Sequence, residues 1–209
     1  MIDSVENVLI ELESQEIKIK ELFKNANVDV IYQMDFITNA LLDRALHLIF
    51  GFTKLIRDEN YIAASHLVRC HLDNILRYSA FWLVENPQEL AIEIMNGKKL
   101  DRIKDKNGNF LRDYYLKEKM NENYPWVTNV YNESSGFIHF SKKHIFTSSR
   151  LSDKENRTVE FKLSKKDNFV PEISKIEATK CMIEISNILF DYVEVWIETK
   201  QIIKLKTQK

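Results

Sequence analysis

The sequence predicts a mainly α-helical protein: an up-and-down bundle of five to seven helices, with a small β-hairpin inserted before the C-terminal helix. Apolar residues recur every three to four positions over long segments, which is the period of a helix packed on one side. The 209 residues include only four Gly and three Pro, too few for a fold with many turns. One short late segment alternates apolar and polar side chains, as a strand does. The length fits a single domain, residues 1–209.

Three long helices are predicted in the first part of the chain. The N-terminal helix, 1–27, carries one apolar stripe among charged residues. The second, 30–57, is apolar around most of its circumference and is expected near the centre of the bundle. The third, 61–85, ends before Asn86 and Pro87, where an Asn can cap the next helix and a Pro can occupy its first position.

The middle of the chain is more polar. Residues 96–109 hold two of the four glycines and are expected to form a solvated connection. A short helix is predicted over 110–122. Pro125 then favours the start of another helix, which runs toward His139 in the segment YNESSGFIHFS, residues 131–141.

A β-hairpin insertion is predicted over 143–164. Its two halves are rich in β-branched and aromatic residues, and four turn-like residues separate them. Pro171 favours the start of the last long helix, whose apolar face extends to Trp196. The basic tail, 200–209, is expected to fray.

Charge and cysteine usage constrain the class of protein. The net charge is −1, but residues 142–166 carry eight Lys and Arg against three acids, so any attraction for nucleic acid is local. Cys70 and Cys181 fit no disulfide framework or metal-ligand spacing. Without a signal sequence or an apolar run of bilayer length, we expect a cytoplasmic protein with no membrane partner. Common cofactor motifs are also absent, so no cofactor is predicted.

One polar stripe lies on the otherwise apolar second helix. Asp35, Asn39, Asp43 and His47 recur every four residues and so share one side of the helix. The favoured interpretation is a narrow solvated face. The alternative is a divalent metal site at Asp35, Asp43 and His47, completed by ligands from other helices.

The third helix carries a second candidate. Arg69 and Asp73 are spaced to form an ion pair one turn apart. Such a pair can orient a guanidinium toward an anionic ligand, or it can bridge two helices as a purely structural contact. Both interpretations remain open from the sequence.

The segment around His139 is the third candidate. In a helix, Tyr131, Ser135 and His139 share one face, with Asn132 beside it. His139 is then a candidate catalytic acid or base, with Arg69 offsetting negative charge as it develops on a phosphate, and the other side chains are candidate ligand contacts. The alternative is a histidine that only stabilises the end of its helix.

These motifs, in this order, resemble proteins of the HEPN group. The resemblance rests on R-x-x-x-D at 69–73, on Y-x-x-x-S-x-x-x-H at 131–139 and on a hairpin followed by a closing helix that ends in FDYVEVW, over residues 30–198. It implies an all-helical, often dimeric bacterial protein that cleaves RNA without metal, in phage defence or stress. The family signature is R-x(4-6)-H. Here positions 132–134 hold Asn, Glu and Ser, so its arginine is absent and only His139 carries over.

Two functional hypotheses follow. The first is a self-associating protein that binds RNA or another phosphate-bearing ligand in a pocket between the third helix and the helix at 126–140, and that cleaves RNA if Arg69 reaches His139. The second is a non-enzymatic module that holds a protein partner, in which the polar stripes are structural.

Overall fold

The predicted mainly α-helical bundle is confirmed. The computed structural model describes residues 4–207, which form eight α-helices and one two-stranded antiparallel sheet placed before the C-terminal helix. No helix in this part of the chain is both long enough and apolar enough to cross a membrane. The elements are α1 (Val5–Ala26), α2 (Gln33–Arg57), α3 (Tyr61–Ser79), α4 (Pro87–Met95), α5 (Asp113–Asn123), α6 (Val127–Ile138), α7 (Lys142–Ser148), β1 (Ser149–Asp153), β2 (Thr158–Phe161) and α8 (Glu172–Thr207).

Short polar side chains begin three of the helices by accepting hydrogen bonds from first-turn amides that have no partner within the helix. Ser4 caps α1, Asn60 caps α3 and Asn86 caps α4. Pro87 occupies the first position of α4, where its missing N–H costs nothing. The predicted start of α4 after Asn86 is therefore confirmed, but the third helix ends at Ser79 instead of 85 and is followed by a short 3-10 helix over Ala80–Trp82.

The core lies between α1, α2, α3 and α8. α8 packs along α1 and also against α3, while α2 packs against α1 and α3. Their inward faces supply fully buried side chains such as Leu12, Leu42, Phe52, Leu72 and Leu189. Each such side chain contributes about 1.5–3 kcal/mol on burial. α6 packs on the outer side of α3 and leads into α7 and the hairpin.

A buried ion pair joins the ends of three helices. The Asp35 carboxylate is fully buried and accepts hydrogen bonds from Lys200 Nζ at 2.8 Å, Trp196 Nε1 at 2.8 Å and the Tyr32 amide at 2.7 Å. Lys200 Nζ also donates to the Ala26 carbonyl at 2.6 Å. The predicted solvated stripe is therefore wrong at Asp35, because α8 covers the first turn of α2.

The same contact corrects the prediction for the C-terminus. The segment 200–209 was expected to fray, but α8 continues to Thr207 and Lys200 is buried. Lys204 forms a further ion pair with Asp29 at 2.7 Å. Residues 208 and 209, like residues 1–3 of the predicted N-terminal helix, lie outside the described part of the chain.

The hairpin is shorter than predicted. Residues 142–148 form helix α7, so the strands cover only 149–153 and 158–161 of the expected 143–164. Ser141 explains the difference, because its hydroxyl accepts from the Lys143 amide while its own amide donates to His144 Nδ1. This reciprocal capping stabilises a helix start within a sequence of high β propensity.

The connection over 96–109 is less solvated than expected. Leu100 and Ile103 are buried in the core. The Asp105 carboxylate is also buried and holds the turn, accepting hydrogen bonds from the amides of Asn107 and Asn109 and from the Tyr115 hydroxyl. These bonds outweigh the effect of burial and lower the pKa of Asp105.

Removing one partner of the buried ion pair should be strongly destabilising. Asp35→Asn leaves the Lys200 ammonium buried beside a neutral group, so we expect the free energy of unfolding to fall by about 3–5 kcal/mol. Urea denaturation measures this change. As a control, Lys18→Gln removes a surface ion pair between α1 and Glu194 of α8. This change should lower the free energy of unfolding by less than about 1 kcal/mol. Equal losses in the two variants would contradict the structural importance of the buried pair.

Stability should also fall with acid because of His71. Its imidazole is fully buried against Ser186 Oγ at 2.9 Å, and burial, assisted by the charge of Arg44, lowers its pKa from 6.5 to about 3. The unfolded chain therefore takes up the proton first, and the free energy of unfolding drops as pH falls from 6.5 toward 3. The contribution is up to about 1.4 kcal/mol per pH unit.

Urea denaturation across this pH range tests the role of His71. The His71→Gln variant should lose this part of the slope, whereas His47→Gln, which changes an exposed side chain, should keep it. A His71→Gln variant with the wild-type slope would contradict the assignment.

Candidate functional site

The structure brings four of the predicted site residues together. Arg69 on α3 donates from Nε to Asp73 Oδ1 at 3.0 Å and from Nη1 to Ser135 Oγ on α6 at 2.7 Å. Its guanidinium carbon lies 3.5 Å from the centre of the Tyr131 ring. The Ser135 hydroxyl donates in turn to the Tyr131 carbonyl, which leaves its oxygen free to accept from Arg69. We call these four residues the Arg69 cluster.

The Arg69 cluster connects two helices. The Arg69 side chain is only 12% exposed, its charge is balanced by Asp73, and one face of its guanidinium is covered by Tyr131. A guanidinium held in this way has little capacity left for a phosphate. The cluster therefore fits the structural interpretation, in which it fixes α6 on α3.

His139 lies outside the Arg69 cluster. α6 ends at Ile138, as the sequence predicted, and His139 is the capping residue with an extended backbone and an exposed side chain. Its imidazole makes no hydrogen bond, ion pair or ring contact with any residue in 4–207. Asn132 is exposed on α6 and is likewise absent from the contacts of Arg69. Arg69 and His139, the predicted catalytic pair, thus make no direct contact in the described part of the chain.

A cavity of about 740 Å³ does lie where a pocket was predicted, between α3, α6, α7 and α8. None of the predicted site residues lines it. Two lysines and two glutamates line it together with apolar residues, so it carries no excess charge. Burial raises the pKa of Cys181 to about 11 and that of Tyr61 to about 12, which keeps both groups protonated near neutral pH. The cavity therefore offers no thiolate near neutral pH and no excess positive charge.

The residues of the alternative metal site do not share one environment, because one is buried and two are exposed. Asp35 is fully buried in its ion pair with Lys200, whereas Asp43 and His47 form an exposed pair with 3.7 Å between Oδ1 and Nε2. Within the described residues, no three His, Cys, Asp or Glu side chains are grouped to hold a metal ion.

A surface outside the predicted site residues lies on α7, the residues just before it and the hairpin. Phe140, Phe146 and Phe161 are 86%, 66% and 75% exposed. Phe140 stacks on His144 with 5.5 Å between ring centres and 17° between ring planes. The surrounding chain carries the late excess of Lys and Arg. We call this region, residues 139–166, the basic-aromatic surface.

The charges of the basic-aromatic surface are only partly neutralised. Arg150 and Lys162 pair with Glu160, and Lys166 pairs with Glu59. Four exposed cations have no carboxylate partner within the described chain, namely Lys142, Lys154, Arg157 and Lys165. The sequence contained part of the signal, since the excess positive charge of 142–166 predicted a local attraction for nucleic acid, but the exposure of the aromatic rings was not predicted.

Comparisons with known proteins give no independent guide to this surface. No protein-family model, curated protein or solved structure matches the chain.

If Arg69 fixes α6 on α3, replacing its guanidinium by the ammonium group of lysine should lower the free energy of unfolding. Arg69→Lys keeps the charge near Asp73 but loses the planar stack on Tyr131 and the Nη1 bond to Ser135, so we expect a loss of about 1–2 kcal/mol in urea denaturation. Arg77→Lys, which alters a half-exposed pair with Asp113, should cost less than about 1 kcal/mol. An Arg69→Lys variant with wild-type stability would show that the cluster does not hold the helices together.

Proposed function

We propose that the protein binds single-stranded RNA through the basic-aromatic surface and does not cleave it. The observation that carries this proposal is that Phe140, Phe146 and Phe161 are exposed in a segment, 139–166, that also holds four exposed cations without a carboxylate partner in the described chain. Single-stranded nucleic acids are bound by this combination, in which aromatic rings stack on bases and cations follow the phosphate backbone. The resemblance to the HEPN group would place such binding in bacterial defence or stress.

The two components contribute in different ways. Stacking of a base on an aromatic ring contributes about 1–3 kcal/mol and tolerates any base. Each phosphate neutralised by a Lys or Arg releases counterions, so affinity falls as salt rises. The Phe140–His144 stack already presents a flat ring to solvent, and Lys142 lies between these two residues in the chain.

The contacts of the predicted catalytic groups favour binding without cleavage. General acid or base catalysis needs a side chain within hydrogen-bond reach of the reacting proton, and a second group must stabilise the charge that develops on the phosphate. Arg69 is engaged with Asp73 and Ser135, and His139 does not contact it. His139 is instead exposed next to Phe140, where it is available to contact RNA.

One observation favours the second hypothesis, a protein-interaction module. Cross-strand partners in the hairpin place Leu151 opposite Val159 and Ser149 opposite Phe161, so Leu151, Val159 and Phe161 share one exposed face. An apolar sheet face of this kind is typical of a docking site for another protein. The aliphatic residues of this face have no role in stacking on bases, so the two functions can be separated by mutation.

Fluorescence anisotropy with a labelled oligouridylate tests RNA binding. The double variant Phe140→Ala/Phe146→Ala should bind about tenfold more weakly or worse, because each ring lost removes a stacking site. The double variant Phe36→Ala/Phe50→Ala removes two phenylalanines of comparable exposure from α2 and should bind like wild type. No binding by the wild-type protein below about 100 µM, the weak end of non-specific affinity, would overturn the proposal.

The salt dependence of the same titration tests the role of the cations. Lys142→Gln/Lys154→Gln should lower the slope of log affinity against log salt by about 1.4, since each phosphate contact with a single strand contributes about 0.7. Leu151→Ser/Val159→Ser should leave RNA affinity unchanged. Loss of RNA affinity only in this aliphatic variant would contradict the assignment of binding to the phenylalanines and the cations. If RNA incubated with the wild-type protein gave fragments that RNA incubated with His139→Ala did not give, the protein would instead be shown to cleave RNA.

A further inference from the structure

A second cavity, of about 710 Å³, lies between α2, α3, the N-terminus of α5 and the chain at 98–101. We call it the basic cleft. Five cations line it against two acids, Asp101 and Asp113, which leaves three positive charges in excess. The cations are Arg44, Arg77, Lys98, Lys99 and Arg112. Its volume is within the range of small-molecule sites.

Three of these cations keep their charge available. Arg77 pairs with Asp113 at 2.9 Å and Lys98 pairs with Glu93 at 2.6 Å. Arg44, Lys99 and Arg112 have no carboxylate partner among residues 4–207. Asp101 also lines the cleft and offsets one of these three charges, so the cations that are free of a carboxylate partner leave a net excess of two positive charges.

A buried neutral group holds Arg44 in place. Arg44 Nη1 donates to Asn74 Oδ1 at 2.6 Å, and Asn74 is only 3% exposed. This bond fixes the Asn74 amide, whose Nδ2 then has no hydrogen-bond partner. A buried donor without an acceptor costs about 1–3 kcal/mol. A guanidinium positioned by an amide rather than a carboxylate keeps its full charge, and the unpaired donor beside it also favours an incoming acceptor.

The rest of the cleft wall is apolar. Ile37, Leu41, Phe81, Ile94 and Leu100 line it, together with the Tyr78 ring. The Tyr78 hydroxyl is already bonded to Thr38 Oγ1 at 2.7 Å. The wall thus presents hydrocarbon surface and an aromatic ring, which suit an apolar or flat group and give an inorganic anion no additional contact.

We propose that the basic cleft binds a small organic phosphate of nucleotide size. The phosphate lies at Arg44, Lys99 and Arg112, because guanidinium groups match phosphate oxygens in geometry and charge. The flat or apolar part of the ligand lies against Phe81 and Leu100. This site is separate from the basic-aromatic surface and does not depend on RNA binding there.

Isothermal titration with three probes tests the assignment. Adenosine 5′-monophosphate should bind, whereas inorganic phosphate and adenosine should each bind about tenfold more weakly or worse, since each supplies only half of the contacts. No binding of the monophosphate would overturn the proposal. Adenosine binding as tightly as its monophosphate would overturn the role of the cations, and inorganic phosphate binding equally tightly would overturn the role of the apolar wall.

Three variants locate the site. Arg44→Gln and Arg112→Gln should each weaken monophosphate binding about tenfold. Arg112 is exposed and bonds to no carboxylate, so its variant should fold normally even if Arg44→Gln does not. Lys154→Gln, on the basic-aromatic surface, should leave monophosphate binding unchanged. Unchanged affinity in Arg112→Gln, or a loss in Lys154→Gln equal to that in Arg112→Gln, would contradict binding in the basic cleft.

Discussion

The Asp35 carboxylate lies where the end of α1, the start of α2 and the last turns of α8 meet, and it receives three hydrogen bonds there. A buried carboxylate without its cation would be costly, so the contact can form only when α8 extends far enough to deliver Lys200. This contact therefore ties the last turns of α8 to the start of α2. Trp196 donates to the same carboxylate and so helps to fix the rotamer of the Asp35 side chain.

The outer layer depends on a second ion pair of a different kind. α6 joins the bundle through α3, where Arg69 connects Asp73 on its own helix to Ser135 and Tyr131 on α6. α6 then leads through Ser141 into α7, and α7 leads into the hairpin. The exposed phenylalanines are thus carried by elements that join the bundle through α6.

Local features of the fold were predictable from the sequence, and distant pairings were not. The start of α4 after Asn86 and the pairing of Arg69 with Asp73 depend on residues within one turn of each other. Asp35 was misplaced because a stripe with a period of four cannot show that α8, 165 residues later, covers one of its ends. Helix α7 was missed because strand propensity was weighed without the capping by Ser141.

The arginines that hold the fold are paired with carboxylates, whereas those available to a ligand are not. Arg57 binds Glu6 and Glu13, and Arg69 binds Asp73, so each guanidinium is balanced within the chain. Arg44 is positioned just as definitely, by a 2.6 Å bond to a buried amide, yet its charge is not cancelled. Such a bond orients a cation and leaves its charge free to attract an anion. The sequence alone cannot reveal this bond, because Asn74 lies thirty positions from Arg44 on another helix.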